Sequence, residues 1–135
     1  MKENPEERSR VMRAIHSRDT APELVVRRLI HGLGYRFRLH RKDLPGCPDI
    51  VLPRLSKAVL VHGCFWHGHG CARGARIPVT NRAYWVAKIA RNKQRDRAAR
   101  LALRSLGWSV TVIWECKTRD QVILKRRLAR CLLAK

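Results

Sequence analysis

Ten consecutive residues, His62-Gly63-Cys64-Phe65-Trp66-His67-Gly68-His69-Gly70-Cys71, hold three histidines, two cysteines and two large aromatics. Neither a packed core nor a solvated surface calls for that mixture; chemistry does. Cys64, His69 and Cys71 stand at the short spacing of zinc ligands, and Cys116, brought in from a later strand, supplies a fourth. Four Cys and His ligands close the tetrahedron around zinc and leave no position for water, which is the structural type of site. A zinc deaminase is excluded, because it needs a Glu two residues after the ligand His and a Cys-x2-Cys pair, and the sequence has neither. With His69 assigned to zinc, His62 and His67 are left for proton chemistry. Phe65 and Trp66 offer flat faces for stacking. Cys47 and Cys131 have no ligands near them in sequence and read as small buried residues.

The elements around the decapeptide must hold it at a strand's end, because the apolar run Ala58-Val59-Leu60-Val61 leads into it. Asp49 to Leu52 and Lys57 to His62 read as two strands joined by a turn at Pro53–Ser56. As an antiparallel hairpin they bring Asp49 close to Val61 and His62. Upstream, Asn4-Pro5-Glu6-Glu7 opens a basic helix that runs to about His16. Thr20-Ala21-Pro22-Glu23 repeats the capping pattern for a second helix, which buries Val26, Leu29, Ile30 and Leu33 and ends at Gly34. Tyr35 to His40 alternates as a strand does, and Leu44 to Pro48 is a turn. Downstream, Thr80 to Ser105 is a long helix with Trp85, Ile89, Asn92 and Asp96 at near-helical intervals, stopped by Gly107. Trp108 to Trp114 reads as a buried strand with both tryptophans in the core, and Thr118 to Leu133 as a basic terminal helix. Two helices, three strands, a helix, a strand and a helix predict an α/β sandwich with a mixed sheet.

Composition sets the partner. The chain has 135 residues, the size of one domain, and 30 Lys and Arg against 10 Asp and Glu give a formal charge of +20. That excess implies a polyanion, nucleic acid first; four Trp argue against a ribosomal or histone-like protein. The basic residues are not confined to one amphipathic helix, which argues against a membrane surface. No apolar run approaches a bilayer span and the N-terminus is charged, so we expect a cytoplasmic, nucleoid-associated protein that does not engage membranes. Five Cys in a reducing compartment point to metal or free thiols rather than disulfides. Acids are scarce: between Asp49 and Glu115 the only carboxylate is Asp96. On a phosphate-binding face each surviving acid needs a reason, and metal binding is one. Capping and salt bridging account for Glu3, Glu6, Glu7 and Asp120.

Taken in order, Leu44-Pro45-Gly46-Cys47-Pro48-Asp49, His62-Gly63-Cys64-Phe65-Trp66-His67, Trp85 with Lys88 and Asn92, Arg95-Asp96-Arg97 and Val112-Ile113-Trp114-Glu115-Cys116 resemble the Vsr family of very short patch repair endonucleases. The resemblance runs from about Met12 to Cys116 and implies a variant of the PD-(D/E)xK nuclease fold: a restriction-endonuclease-like mixed β-sheet flanked by helices, with a structural zinc site. It implies a single domain over residues 1–135, with a DNA-contacting helix within 1–19 and a basic helix over 120–135. The implied activity is nicking of one DNA strand on the 5′ side of the thymine in a T:G mismatch, the product of 5-methylcytosine deamination. The implied partners are mismatched duplex DNA, mismatch-repair proteins and, functionally, a cytosine-5 methyltransferase, with the enzyme a monomer. A related restriction-type nuclease of other specificity and a non-catalytic zinc-stapled DNA-binding module are the alternatives.

By resemblance, Asp49 binds catalytic Mg²⁺ together with the backbone carbonyl of Val61, where the family usually has Thr. His62 is the catalytic histidine, acting as general base or phosphate contact, and His67 is the second, near metal-bound water or phosphate. Glu23, which its capping position explains without chemistry, by resemblance reaches the active site and orients catalytic groups. Asp96 resembles an acid that hydrogen-bonds a catalytic His; read from the helix alone, it is equally a salt-bridge partner of Arg91, Arg95 or Arg100. Phe65, Trp66 and Trp85 resemble side chains that enter the DNA stack from the major groove, while Met12 and Ile15 press in from the minor groove. On pattern alone Trp85 is also an ordinary core residue. Lys88 and Asn92, four apart on one helix face, contact the mismatch by resemblance. Gly68 and Gly70 stand where relatives often carry His and are expected to loosen the loop.

Overall fold

The computed structural model describes residues 20–72 and 74–133. The readings placed on the first nineteen residues, including Met12 and Ile15, lie outside the described residues. Thr20 caps helix α1 (Ala21–Gly32): its Oγ1 accepts the Glu23 N–H at 3.4 Å, and Pro22 fits the first turn, where its missing N–H costs nothing. The Glu23 carboxylate turns inward to His40 and Arg27.

Strand β1 is only Arg38–Leu39, shorter than the alternation over 35–40 predicts. His40 takes a φ of +46°, which ends the ladder, and Tyr35 and Phe37 pack against the core from outside it. Strands β2 (Ile50–Leu52) and β3 (Lys57–His62) form the expected antiparallel hairpin, with Ile50 opposite Val59, around a 3-10 turn at Pro53–Leu55. Strand β4 (Ser109–Trp114) runs parallel to β3, giving a mixed sheet in the order β1-β2-β3-β4. Parallel neighbours need a long crossover. Here it is the cluster loop and helix α2 (Arg82–Ser105). A 3-10 turn at Glu115–Thr118 leads into helix α3 (Gln121–Leu133), where Asp120 Oδ1 accepts the Ile123 N–H at 3.2 Å as an N-cap.

Alternation along the strands sorts the two faces of the sheet. Ile50, Leu52, Val59 and Ile113 meet Val26 and Ile30 of α1 and Leu124, Leu128 and Leu132 of α3 in one core. The buried Lys57 points the same way and donates to the Cys131 carbonyl at the C-terminal end of α3, where a cation is favoured. Residues of opposite parity, His62 and Trp114 among them, face the side of α2 and the cluster loop. That parity is what gathers the candidate site. No helix among the described residues is long and apolar enough to cross a membrane.

Three core expectations are corrected. Cys47 is exposed, because it closes the tight turn from Leu44 (N–H to Leu44 carbonyl 3.1 Å) at φ +46°. Cys131 is half-buried. Trp108 and Trp114 are half-buried rather than core: Trp108 precedes the strand and lies under the Arg41 guanidinium, and Trp114 faces the histidines.

The same turn delivers Asp49. Gly46, at φ +73°, lies so close to α2 that a Cβ on it would stand 2.6 Å from the Ala99 Cβ. Only glycine satisfies both the left-handed backbone and that approach. Gly46→Ala is therefore expected to lower stability by about 1–3 kcal/mol. A urea titration reads this as a lower midpoint at unchanged slope, and an unmoved midpoint would show that the turn is not held against α2.

Candidate active site and metal centre

Tight turns fold the chain after β3 back on itself: the His69 N–H donates to the Cys64 carbonyl at 2.9 Å and the Ala75 N–H to the Cys71 carbonyl at 2.9 Å. These turns, with Cys116 arriving from the end of β4, place ligand atoms of Cys64, His69, Cys71 and Cys116 all within 4.8 Å of one another. Cys116 Sγ lies 3.6 Å from His69 Nδ1. Backbone N–H groups point at sulfur: Cys116 to Cys64 at 3.3 Å and Gly74 to Cys71 at 3.4 Å. Such donors stabilise thiolates, the form in which cysteine binds metal. Burial above all, with the thiols of Cys71 and Cys116 adding to it, pushes the Cys64 thiol up to about 12. A cation is the partner that offsets thiolate charge in such a place. The predicted quartet comes together, three ligands from the loop and the fourth from just past the end of the neighbouring strand β4. It is a Cys/His cluster capable of coordinating a structural metal ion, and its donor set fits zinc.

Beside it stands a second cluster, His62, His67 and Asp96. The His62 and His67 rings stack with centroids 3.8 Å apart and planes 3° from parallel. Asp96 on α2 accepts from His67 Nδ1 at 2.5 Å, so of the two readings open for Asp96 the hydrogen bond to a histidine is the one seen. Burial pushes the Asp96 carboxyl up, but the hydrogen bond and charge of His67, with His62 and Arg100 behind it, outweigh that and hold it below the ordinary value. With Nδ1 engaged as donor, Nε2 is the proton-accepting nitrogen of His67.

Asp49 lies where the hairpin sends it. Its Oδ2 accepts the Val61 N–H at 2.8 Å, one residue before His62. Burial pushes its carboxyl up to about 6, Glu23 adds to the rise, and the Val61 N–H, His40 and His67 counter it. Glu23, 2% exposed, shares its oxygens between His40 Nε2 at 2.7 Å and Arg27 at 3.1 Å.

The aromatics form a third group. Phe65, Trp66 and Trp85 meet edge to face, with centroids 5.1 to 6.0 Å apart. Trp85 is half-buried, so it is not a core residue of α2. Asn92 is buried and donates from Nδ2 to the Trp66 carbonyl at 2.9 Å, while its Oδ1 accepts from Arg95. It therefore fastens the loop to α2. Lys88, on the same face, is half-buried with Nζ 6.0 Å from the Tyr84 ring. The expectation that Gly68 loosens the loop is corrected: at φ +62° it packs so close to α2 that a Cβ would stand 2.7 Å from Ile89 Cγ2 and clash with Lys93. Gly70 has open space around it.

Four contributors were missed by reasoning from sequence. Trp114 stacks on His69 (4.2 Å, 17°) and sets its ring edgewise to His62 (5.3 Å, 74°), touching the metal cluster and the histidine pair at once. Its signal was its place two residues before Cys116, outweighed by the apolar strand around it. Glu115 accepts the Cys64 N–H at 3.4 Å. His40 and Arg27 flank Glu23, and both were masked by the many basic residues around them.

Comparison with known proteins agrees with this geometry. Residues 2–73 match the family model described as DNA mismatch endonuclease Vsr. The chain is 49% identical over 129 residues to the Type II nicking enzyme V.XorIIP of Xanthomonas oryzae pv. oryzae, covering 96% of this chain and 94% of that protein. It is 42% identical over 123 residues to the Type II nicking enzyme V.NmeAIP of Neisseria meningitidis, covering 91% and 87%. To the DNA mismatch endonuclease Vsr of Escherichia coli K12 it is 43% identical over 114 residues, covering 84% and 72%. With more than half of its residues matched by that model and relatives of 42–49% identity matched over 84–96% of it, the chain belongs to the Vsr family of DNA mismatch and nicking endonucleases.

Proposed function

We propose that this protein is a magnesium-dependent endonuclease that nicks one strand of duplex DNA 5′ to the thymine of a T:G mismatch left by 5-methylcytosine deamination, initiating very short patch repair. The observation that carries the reading is the convergence at one strand end of Asp49 on Val61, the His62–His67–Asp96 array and the aromatic trio. Asp49 and the Val61 carbonyl would hold Mg²⁺, whose chemistry is Lewis-acid stabilisation of charge on the scissile phosphate. Val61 serves that role as well as Thr, since only its backbone is used.

His62 and His67 are placed to manage the water's proton and the phosphate. Stacked imidazoles tolerate one positive charge between them far better than two, which suits a pair that takes up a single proton per turnover. Asp96 stabilises that charge and fixes the tautomer. Phe65, Trp66 and Trp85, joined by Met12 and Ile15 from the N-terminal segment, unstack the duplex at the mismatch, where unstacking is cheapest. Lys88 reads the mismatch from the same side, with Asn92 holding Trp66 in register. Zinc in the quartet acts as a clamp for the loop. A second reading, nicking at another mismatch or sequence context, is favoured by the relatives named Type II nicking enzymes, among them the 49% identical one. Labelled T:G, other mismatched and matched duplexes, each with Mg²⁺ or EDTA, separate the two. Cleavage of no duplex would overturn both.

Asp49→Asn is expected to reduce nicking about a thousandfold, the equivalent of several kcal/mol of metal-borne charge stabilisation, while leaving duplex binding intact. Loss of binding together with nicking would mark Asp49 as structural instead. The same variant has a stability signature. A folded-state carboxyl raised from 3.8 to about 6 disfavours the charged form, so its penalty is absent below about pH 4, grows as the pH rises to 6 and is full above. Metal-free Asp49→Asn should therefore melt higher than wild type at pH 8 and equally at pH 4.

Cys64→Ser should purify with little zinc and a lower melting temperature, and a chelator should bring the wild type toward the same curve. Metal analysis beside calorimetry checks it; an unchanged melt with no bound zinc in the wild type would remove the clamp from the mechanism.

A further inference from the structure

The α1 side of Asp49 holds donors that the proposed reaction leaves unused. Glu23, His40 and Asp49 each offer one ligand atom, and the three atoms lie within 4.8 Å of one another. His40 Nε2 stands 2.7 Å from Glu23 Oε1, and Arg27 holds Glu23 Oε2 at 3.1 Å. The His40 backbone is fixed to Asp49 itself: its N–H donates to the Asp49 carbonyl at 3.1 Å, and its φ of +46° lies in the left-handed region that His, like Asn and Asp, enters more readily than other side chains. A Glu–His pair alone would be an ordinary buried contact. A second carboxylate within the same span makes it a nitrogen–oxygen donor set carrying two negative charges, with Arg27 the neighbouring cation.

Donor type decides which ion such a set prefers. The first position, on Asp49 and the Val61 carbonyl, is all oxygen and suits Mg²⁺, which prefers oxygen and water. An imidazole suits later divalent transition metals. We propose that Glu23, His40 and Asp49 form a second cation position, joined to the first through the Asp49 carboxylate, that takes a transition-metal dication in preference to magnesium, with His40 Nε2 as the selecting ligand. The inference rests on the reading of Asp49 as a cation ligand.

The test uses Co²⁺ and Mg²⁺ as probes on the zinc-loaded protein, without DNA. Calorimetric titration should give Co²⁺ binding about tenfold or more tighter than Mg²⁺, and the Co²⁺ form should show a far-shifted imidazole N–H resonance in its NMR spectrum. Absence of a thiolate-to-cobalt absorption band confirms that the Cys/His quartet has kept its zinc. His40→Asn, whose residue accepts the left-handed backbone but falls short of Glu23, should remove the shifted resonance and bring the two affinities to within about twofold, with Mg²⁺ binding little changed. An unchanged Co²⁺ to Mg²⁺ ratio, or a resonance that survives, overturns the assignment. If His40→Asn folds poorly, cobalt anomalous scattering from wild-type crystals decides: a peak between Glu23, His40 and Asp49 supports the site and its absence there refutes it. Asp49→Asn separates the two readings. Loss of both ions' binding with an indifferent His40 variant sinks this inference alone, whereas no effect of Asp49→Asn on either ion sinks the Asp49 reading with it.

Discussion

The parallel pairing of β3 with β4 is the constraint on which the site depends. Its register sets His62 opposite Trp114, and two residues beyond each lie Cys64 and Cys116, whose backbone and sulfur meet at 3.3 Å. A slip of β4 by one residue would turn Trp114 into the α1–α3 core and carry Cys116 away from the loop. That register is defended from the other face, where Val59 and Ile113 are locked among α1 and α3 side chains and Lys57 reaches the end of α3. Apolar packing on one side of the sheet thus holds the chemistry on the other.

Charge tells the same story in reverse. A chain of +20 keeps few acids, and those near the loop are engaged with named partners: Asp49 on the Val61 N–H, Asp96 on His67, Glu23 on His40 and Arg27, Glu115 on the Cys64 N–H. Their environments pull the carboxyls apart. Asp96, beside histidine, is held below the ordinary carboxyl value; Asp49, buried near Glu23, is pushed toward neutrality. Two neighbouring carboxyls with opposite shifts suit the different duties proposed for them, a standing anion beside histidine for Asp96 and a cation ligand for Asp49.

Much of this could be read from the residues because it is local. Helical spacing placed Val26 and Ile30 inward on α1, capping residues located its start, and Cys64, His69 and Cys71 carry their purpose in their spacing. The Asp49–Val61 contact followed from the brevity of one hairpin. What stayed hidden was set by pairing between distant segments. Nothing local to Trp114 distinguishes a core tryptophan from one that faces His62 and His69, because that depends on the β3–β4 register. Nor does His40 stand out from its basic neighbours until an unusual backbone angle carries its ring to Glu23. Gly68 misled for a related reason: read alone it is a flexible residue, whereas against Ile89 it is the only residue that fits.

The aromatic trio shows how rigidity and reaction are reconciled. Phe65, Trp66 and Trp85 meet edge to face and are half-buried, so each partly shields the others from water. On the proposed function, entering a base stack would exchange those edge contacts for base stacking, a trade of like for like that lowers the net cost of the wedge. The backbone beneath need not move for it. The Trp66 carbonyl is tied to Asn92, Gly68 is pressed on α2, and the quartet of three cysteines and His69 brings the loop to the end of β4. Only side-chain torsions are left to change, and His67, the very next residue after Trp66, stays on Asp96 while they do. On the proposed function, wedge and proton carrier would be neighbours on one backbone, so that a duplex opened by the first would present its phosphate to the second.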